Sequence, residues 1–336
     1  MDRNRFLGIT FVCVTLCICT AGADVLVEHP FVGVTHYTRT ETSPSLNMHI
    51  VQIDLAAPGI GFKLTPQSGS LDTTRQRTVD FLNQEQAQVA VNVHFMVPFG
   101  TQPEQQLVGL AASNGHVYSP FEPQPVASGY ANQSYAIVPF APGLNIDANN
   151  QAGIVHRDPS DPQNLSVLEP VSLFNAVSGS AQVITNGVES IPLYLDAEHP
   201  DGLLTALNGY SNSNSWYNLQ RARTVIGLNE DNSVLTLFTV DQAGGSVGMG
   251  LGSIVEILMN EYGVYNALNL DGGGSTSLAM ADPITGVGQL VNHSADSDPL
   301  GRAVGSNLAI FAQIPEPGSL LLLVCAGVVI MTGRRS

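Results

Sequence analysis

The sequence predicts an α+β fold, a single mixed domain in which a strand-rich sheet packs a few helices, and three observations carry that prediction. Runs of alternating polarity recur along the 336-residue chain, at 47–55 (NMHIVQIDL), 89–95 (VAVNVHF), 223–228 (RTVIGL) and 234–240 (VLTLFTV), the period-2 signature of half-buried strands. Only two stretches, 72–86 and 253–262, have the wider apolar spacing of an amphipathic helix. No repeat is present, and 44% apolar against 12% charged residues is enough for a sizeable core. The predicted domain covers 24–313, with its core over 47–313.

Both ends read as targeting segments. In residues 1–23, Arg3 and Arg5 precede an apolar run over 6–19, and Ala21-Gly22-Ala23 forms an A-x-A cleavage site, the pattern of a secretory signal peptide. Residues 314–336 contain Pro315-Glu316-Pro317, an apolar run over 320–331 and Arg334-Arg335. That tail resembles the PEP-CTERM sorting signal of Gram-negative bacteria. The resemblance implies a sorting transpeptidase (exosortase) as partner and a short transmembrane helix that sits only transiently in the inner membrane, since the run is short for a stable span. The domain is then expected in the periplasm, on the outer surface or in the extracellular matrix.

Three of the four cysteines, Cys13, Cys17 and Cys19, fall in the leader and Cys325 falls in the tail. The domain between them has none, which excludes a disulfide framework, a thiolate zinc site and a cysteine nucleophile. Residues 24–313 retain 8 basic and 26 acidic side chains, a formal charge of −18, with Lys63 the single lysine. Such a surface repels nucleic acid and anionic membranes, and it disfavours polyanions unless a local site supplies cations.

In chain order, 47–55 is a strand with 62–65 as its expected partner, and Asp72 is the expected N-cap of helix 72–86, with Val79 and Leu82 facing inward. Asn92 and His94 share one face of the strand at 89–95. Ser113-Asn114-Gly115 marks a hairpin between 107–111 and 116–118. Residues 119–161 are rich in Pro, Asn, Gly and Ser and read as irregular chain with short strands; 147–151 lacks the glycine and glutamate of an EF-hand. A hairpin is expected over 177–188. The polar loop 208–218 holds the only tryptophan, Trp216, a residue suited to stacking on a sugar ring. The turn 229–232 joins two strands, Ser253-Ile254-Val255-Glu256 reads as a capping box, Gly263 closes that helix, and 303–311 is the last strand.

Gly244-Gly245-Ser246-Val247-Gly248 matches G-x-S-x-G, but its serine falls mid-loop between a strand ending near 240 and a helix opening near 253, away from the sharp strand-to-helix turn a nucleophile elbow needs. Gly248, Gly250 and Gly252 complete no dinucleotide fingerprint, and no Walker lysine exists. The eight histidines lack H-x-x-x-H spacing, so no metal or cofactor is expected.

The chemistry converges on Asn269-Leu270-Asp271-Gly272-Gly273-Gly274-Ser275-Thr276-Ser277. Asn269 and Asp271 project from the same face at the end of a short apolar strand. Three glycines then let a ligand approach the backbone and offer N–H groups as an anion cradle. The stretch ALNLDGGGSTSLAM resembles the core motif of the phosphodiester glycosidase family. Further matches occur at 90–95, 109–115, Arg223-Thr224-Val225-Ile226-Gly227, Val240-Asp241, 250–256 and 302–307, so the resemblance spans about 47–311. The small residues that follow Asn92 in the family are Val93 and His94 in this chain.

The resemblance implies cleavage of the bond between a sugar's anomeric carbon and a phosphate. Asp271 is then the expected catalytic carboxylate, as base or nucleophile, with Asp241 the candidate second group. Arg223 and Arg302 are the expected phosphate clamp, Gly272, Gly273, Gly274 and Ser275 add to it, and Asn92, Asn269 and His94 contact the sugar. The expected partner is a glycan or sugar-phosphate substrate, and nucleic acid is excluded. The competing class is a non-catalytic surface module that binds glycans on the same fold.

Overall fold

The computed structural model describes residues 16–20, 23–97, 102–123, 137–205 and 210–315. Residues 1–15 and 21–22 of the expected leader and 316–336 of the expected sorting tail lie outside them.

Nine antiparallel strands form the main sheet, in the order Leu16–Thr20, Ala23–Phe31, Val34–Thr42, Ser45–Asp54, Val234–Val240, Arg223–Leu228, Asn266–Asn269, Ala181–Thr185 and Val188–Glu189. Its central strands, Ser45–Asp54, Val234–Val240 and Arg223–Leu228, are buried on both faces because both faces are covered there. Met48, Ile50, Val225, Phe238 and Val240 face one core together with Leu251, Ile254, Val255 and Leu258 of the helix Leu251–Tyr262. Their neighbours Val51, Ile53, Ile226, Leu235 and Leu237 face the other.

That second core is closed by a five-stranded sheet in the order Gly288–Leu290, Leu278–Ala281, Val89–Asn92, Asn307–Phe311 and Gly61–Leu64. Its far side carries the helix Thr78–Glu85, which buries Val79, Phe81 and Leu82. A second five-stranded sheet (His116–Ser119, Ala111–Ser113, Asn175–Ser178, Gly143–Ile146, Ala152–Val155) and a three-stranded one (Thr73–Thr74, Glu104–Leu107, Met96–Val97) flank this stack. The strand-rich α+β reading holds. Among the described residues no helix is long and apolar enough to cross a membrane.

Several local expectations are corrected. Gly61–Leu64 pairs with Asn307–Phe311 rather than with the strand at 45–54. Asp72 caps no helix: its Oδ2 accepts the Leu107 N–H at 2.8 Å, Thr73–Thr74 is extended, and the helix starts only at Thr78. Of the hairpin expected over 177–188 only the later part forms: Ala181–Thr185 pairs with Val188–Glu189 across Asn186 and Gly187, both at positive φ, whereas Asn175–Ser178 enters a different sheet. The capping box fails as well. Gly250 is the N-cap and Ser253 lies inside the helix, while Gly263, at φ 66°, closes it as expected. Leu16–Thr20, within the stretch expected to be a leader, pairs with Ala23–Phe31 at the edge of the main sheet.

Candidate active site

The glycine turn stitches the two main sheets together. Asn266–Asn269 pairs with Arg223–Leu228 on one side and Ala181–Thr185 on the other. One residue later the chain leaves that sheet, and the Asp271 N–H donates to the Val93 carbonyl of the second sheet at 3.0 Å. Crowding against backbone dictates one glycine, and a second lies under the Arg302 side chain. A Cβ on Gly272 would lie 2.8 Å from the Ala222 carbonyl oxygen, and one on Gly274 would lie 2.3 Å from Arg302 Nη2. The expected cradle of free amides needs correction, however. The Gly272 N–H is taken by Asp271 Oδ1 at 2.9 Å and the Gly273 N–H by the Ala222 carbonyl at 2.8 Å.

Asp271 is only 6% exposed. Its Oδ1 accepts that amide, whereas Oδ2 has no hydrogen-bond partner. Burial pushes the carboxyl up to about 6, while Ser275, Arg302, the Gly272 amide and Arg75 pull it down. The Ser275 hydroxyl is close enough to favour the carboxylate but outside hydrogen-bonding geometry, and its Oγ is unpartnered too.

The cations acting on Asp271 are thus Arg302 and Arg75. Arg302 Nε donates to Asp296 Oδ2 at 2.9 Å, and its guanidinium lies against Gly274. Arg75 Nε donates to the Ala303 carbonyl at 2.8 Å. Both line a cavity of about 370 Å³, together with Arg77, Asp80, Asp296 and Asp298. Arg77 pairs with Asp298, and with Asp80 at 3.7 Å. Three of the domain's eight basic side chains therefore meet in one cavity of a strongly acidic protein.

Arg223 does not join them. It is 2% exposed, its Nη2 donates to the carbonyls of Trp216 and Leu219 at 2.9 Å each, and its guanidinium stands 5.4 Å from the Trp216 ring centroid. No carboxylate pairs with it among the described residues, Nε is unpartnered, and burial pulls its pKa down to about 10. Tyr217 and Arg221, not Asp271, act on its charge. Trp216, expected to stack on sugar, is engaged edge-on by Tyr210 and by the guanidiniums of Arg221 and Arg223.

Asn92 and His94 are buried and hydrogen-bonded within the protein, which corrects their placement against a sugar. Asn92 Nδ2 donates to the Asp271 carbonyl at 2.7 Å, and its Oδ1 accepts from Thr224 Oγ1 at 2.8 Å and the Ser277 N–H at 3.0 Å. His94 is 1% exposed; Nδ1 meets Ser306 Oγ at 2.8 Å, and Nε2 lies 3.0 Å from both the Leu110 carbonyl and the Ser178 amide. Burial lowers its pKa to about 4. Asn269 Nδ2 donates to Ser180 Oγ at 2.8 Å, and its Oδ1 is unpartnered.

Asp241 is buried at the end of Val234–Val240. Its Oδ2 accepts from Asn47 Nδ2 at 2.5 Å, the His293 N–H at 3.0 Å and His293 Nδ1 at 3.1 Å, while Oδ1 has no partner. Burial raises its pKa against those donors. Ser246 of the G-x-S-x-G match accepts the Asn47 N–H at 3.2 Å and donates to the Asp241 carbonyl at 2.7 Å, a loop clip remote from any elbow.

Residue types and order along the chain can now be set against known proteins. The phosphodiester glycosidase family profile matches residues 85–311. The chain belongs to the phosphodiester glycosidase family. Solved structures share its fold. The catalytic domain of zebrafish N-acetylglucosamine-1-phosphodiester α-N-acetylglucosaminidase, auto-inhibited by its pro-peptide, aligns with a TM-score of 0.54 at 18% identity, over 88% of this chain and 89% of that one. A Synechocystis protein aligns with a TM-score of 0.54 at 18% identity over 86% of this chain, which spans 64% of that protein. A Burkholderia pseudomallei protein gives 0.50 at 14% identity, over 80% and 74% of the two chains. No curated protein matches the chain. Sequence reasoning found the family's glycine turn but missed Arg75 and His293. For Arg75 the signal was available in the scarcity of basic residues, since a cation in so acidic a chain is a costly choice.

Proposed function

We propose that this member of the phosphodiester glycosidase family is an exported hydrolase that cleaves the anomeric carbon–phosphate bond of a sugar-1-phosphodiester in envelope or extracellular glycans. One observation carries the reading: a buried carboxylate with an unpartnered oxygen, Asp271, is coupled to two arginines that line a cavity. A phosphate monoester leaves readily, so the leaving group needs cations more than a strong acid. Arg302 and Arg75 supply them and replace Arg223 in the clamp. Asp271 meets the anomeric carbon as base or nucleophile, and Asn269, through its free Oδ1, is left to take a sugar hydroxyl.

The test is a screen of the purified protein against methyl phosphodiesters of glucose, galactose and N-acetylglucosamine 1-phosphates, followed by phosphorus NMR. Release of methyl phosphate supports the reading. Saturable glycan binding with no turnover on any of them favours a binding module instead. Processing is a separate proposal: the leader is lost near Asp24 and the tail near Pro315 through the sorting transpeptidase. Intact termini by mass spectrometry in the native host would refute it.

A further inference from the structure

His293 and Asp241 form a dyad outside the Asp271 carboxylate. Asp241 has no exposed side-chain surface, whereas the His293 side chain is 61% exposed. With Nδ1 held 3.1 Å from Asp241 Oδ2, the tautomer with hydrogen on Nδ1 is favoured and Nε2 is left as a base open to solvent. The pose is built rather than incidental. The His293 amide donates to the same Oδ2, Asn47 Nδ2 also donates to that oxygen while lying 3.4 Å from His293 Nδ1, and Gly244, at φ 62°, makes room where a Cβ would lie 2.7 Å from the imidazole.

The dyad adjoins the glycine turn by two routes. Val240, just before Asp241, pairs with Arg223, and the Gly273 N–H bonds to Ala222 beside it. Asp241 and the turn therefore flank one strand end, roughly 10 Å apart at two strand spacings. The loop 292–302 also straddles the turn. At its start, Asn292 Nδ2 donates to the Thr276 carbonyl at 3.2 Å and its Oδ1 accepts the Leu278 N–H at 2.7 Å; at its end, Arg302 lies against Gly274. His293 and Arg302 stand at the two ends of that loop.

Resting on the glycosidase reading, we propose that His293 is the base that activates water in the second half of a two-step, retaining reaction, with Asp241 as its positioning residue. In the first step an Asp271 oxygen bonds to the anomeric carbon, the carbon–oxygen bond to phosphate breaks, and its electron pair leaves with the phosphate monoester. In the second step a water oxygen bonds to the same carbon while its proton passes to His293 Nε2, and the Asp271–carbon bond returns its pair to the carboxylate. Asp241 stabilises the imidazolium, which releases the proton to solvent.

The experiment is quenched-flow on the methyl phosphodiester of N-acetylglucosamine 1-phosphate, or on whichever methyl phosphodiester of the screen turns over, with the full protein and its His293→Gln and Asp241→Asn variants. The parent is expected to release the sugar with retained configuration by proton NMR. Both variants should give a burst of methyl phosphate of about one equivalent, then a steady rate lower by roughly a hundredfold or more, with the glycosyl adduct on Asp271 visible by mass. Melting curves separate folding loss from a chemical effect, and a burst is a readout that loosened packing does not create. Inverted configuration, or a His293→Gln variant with parental turnover or with a slow rate and no burst, overturns the proposal while leaving the glycosidase reading intact. A parent inactive on every substrate of the screen takes down both.

Discussion

Arg223 and Arg302 carry the same charge beside the same glycine turn, and the fold spends them differently. Arg223 ends a central strand, is sealed beneath Trp216, and gives its hydrogen bonds to two carbonyls. Arg302 closes a loop, is about one-third exposed, and shares a cavity with Arg75 while acting on Asp271. A cation held by carbonyls and an indole braces backbone; one held at a cavity wall by a single aspartate remains able to meet an anion. Residue type and proximity to a motif are therefore poor guides to role, and the remaining hydrogen-bonding capacity decides it.

The sharpest way to break that division is Asp271→Asn. On the Arg302 side it should cut turnover by roughly a thousandfold or more. It should also stabilise the fold. A carboxyl whose folded pKa lies near 6, above its unfolded value, destabilises the native state once ionised, so at pH 7 the amide should gain about 1–3 kcal/mol, and that gain should vanish below about pH 4, where the acid is protonated in both states. Parallel melting and rate measurements on one sample check both halves; unchanged turnover would remove Asp271 from the chemistry.

Arg302→Ala is expected to lower kcat/KM roughly ten- to hundredfold with little change in melting temperature, because a part-exposed pair with Asp296 adds under about 1 kcal/mol of stability. Arg302→Lys should recover only part of the loss, since it cannot grip phosphate with two parallel bonds. Arg223→Met should do the reverse. Two carbonyls lose their donor, at about 1–3 kcal/mol of stability, while kcat/KM of the folded enzyme stays within about threefold. A large loss of kcat/KM at constant stability would return Arg223 to the site.

A pH dependence probes the bracing side by itself. His94 and His49 have folded pKa values lowered by burial to about 4 and about 3, below the unfolded value, so the unfolded chain binds protons first as pH falls. Stability should decline below about pH 6.5, by up to about 1.4 kcal/mol per pH unit for each histidine. Urea titrations at pH 7, 6 and 5 check this in the Asp271→Asn background, which removes one opposing carboxyl while Asp72 and Asp241, also raised by burial, still oppose in part. His94→Gln and His49→Gln variants should each flatten the decline, and a variant with the parental slope would take that ring out of the response.

The glycine turn, the strands around it and Gly263 were legible because each depends on neighbours in sequence. Arg75 was not. Asp72 looks like a helix cap beside a helical pattern, yet it is drawn to the Leu107 amide, and Thr73–Thr74 pairs with Glu104–Leu107, so the arginine sits in an extended segment. The roles of Asn92 and His94 were equally hidden, since their partners at 224, 271, 277, 306 and 178 lie far along the chain. Within 177–188 the turn at Asn186 and Gly187 was legible, but the departure of 177–178 into another sheet was not, because local turn signals do not say which sheet each arm will join.

Asn92 also bears on how late the site can form during folding. One carboxamide ties residue 92 to residues 224, 271 and 277 and so locks two sheets around the glycine turn. Contacts of such sequence separation close slowly, because the loop entropy must be lost before they form. The geometry around Asp271 is then expected among the last features to assemble, so that a partly folded chain, although rich in strands, should lack it; hydrogen-exchange labelling during refolding would test this.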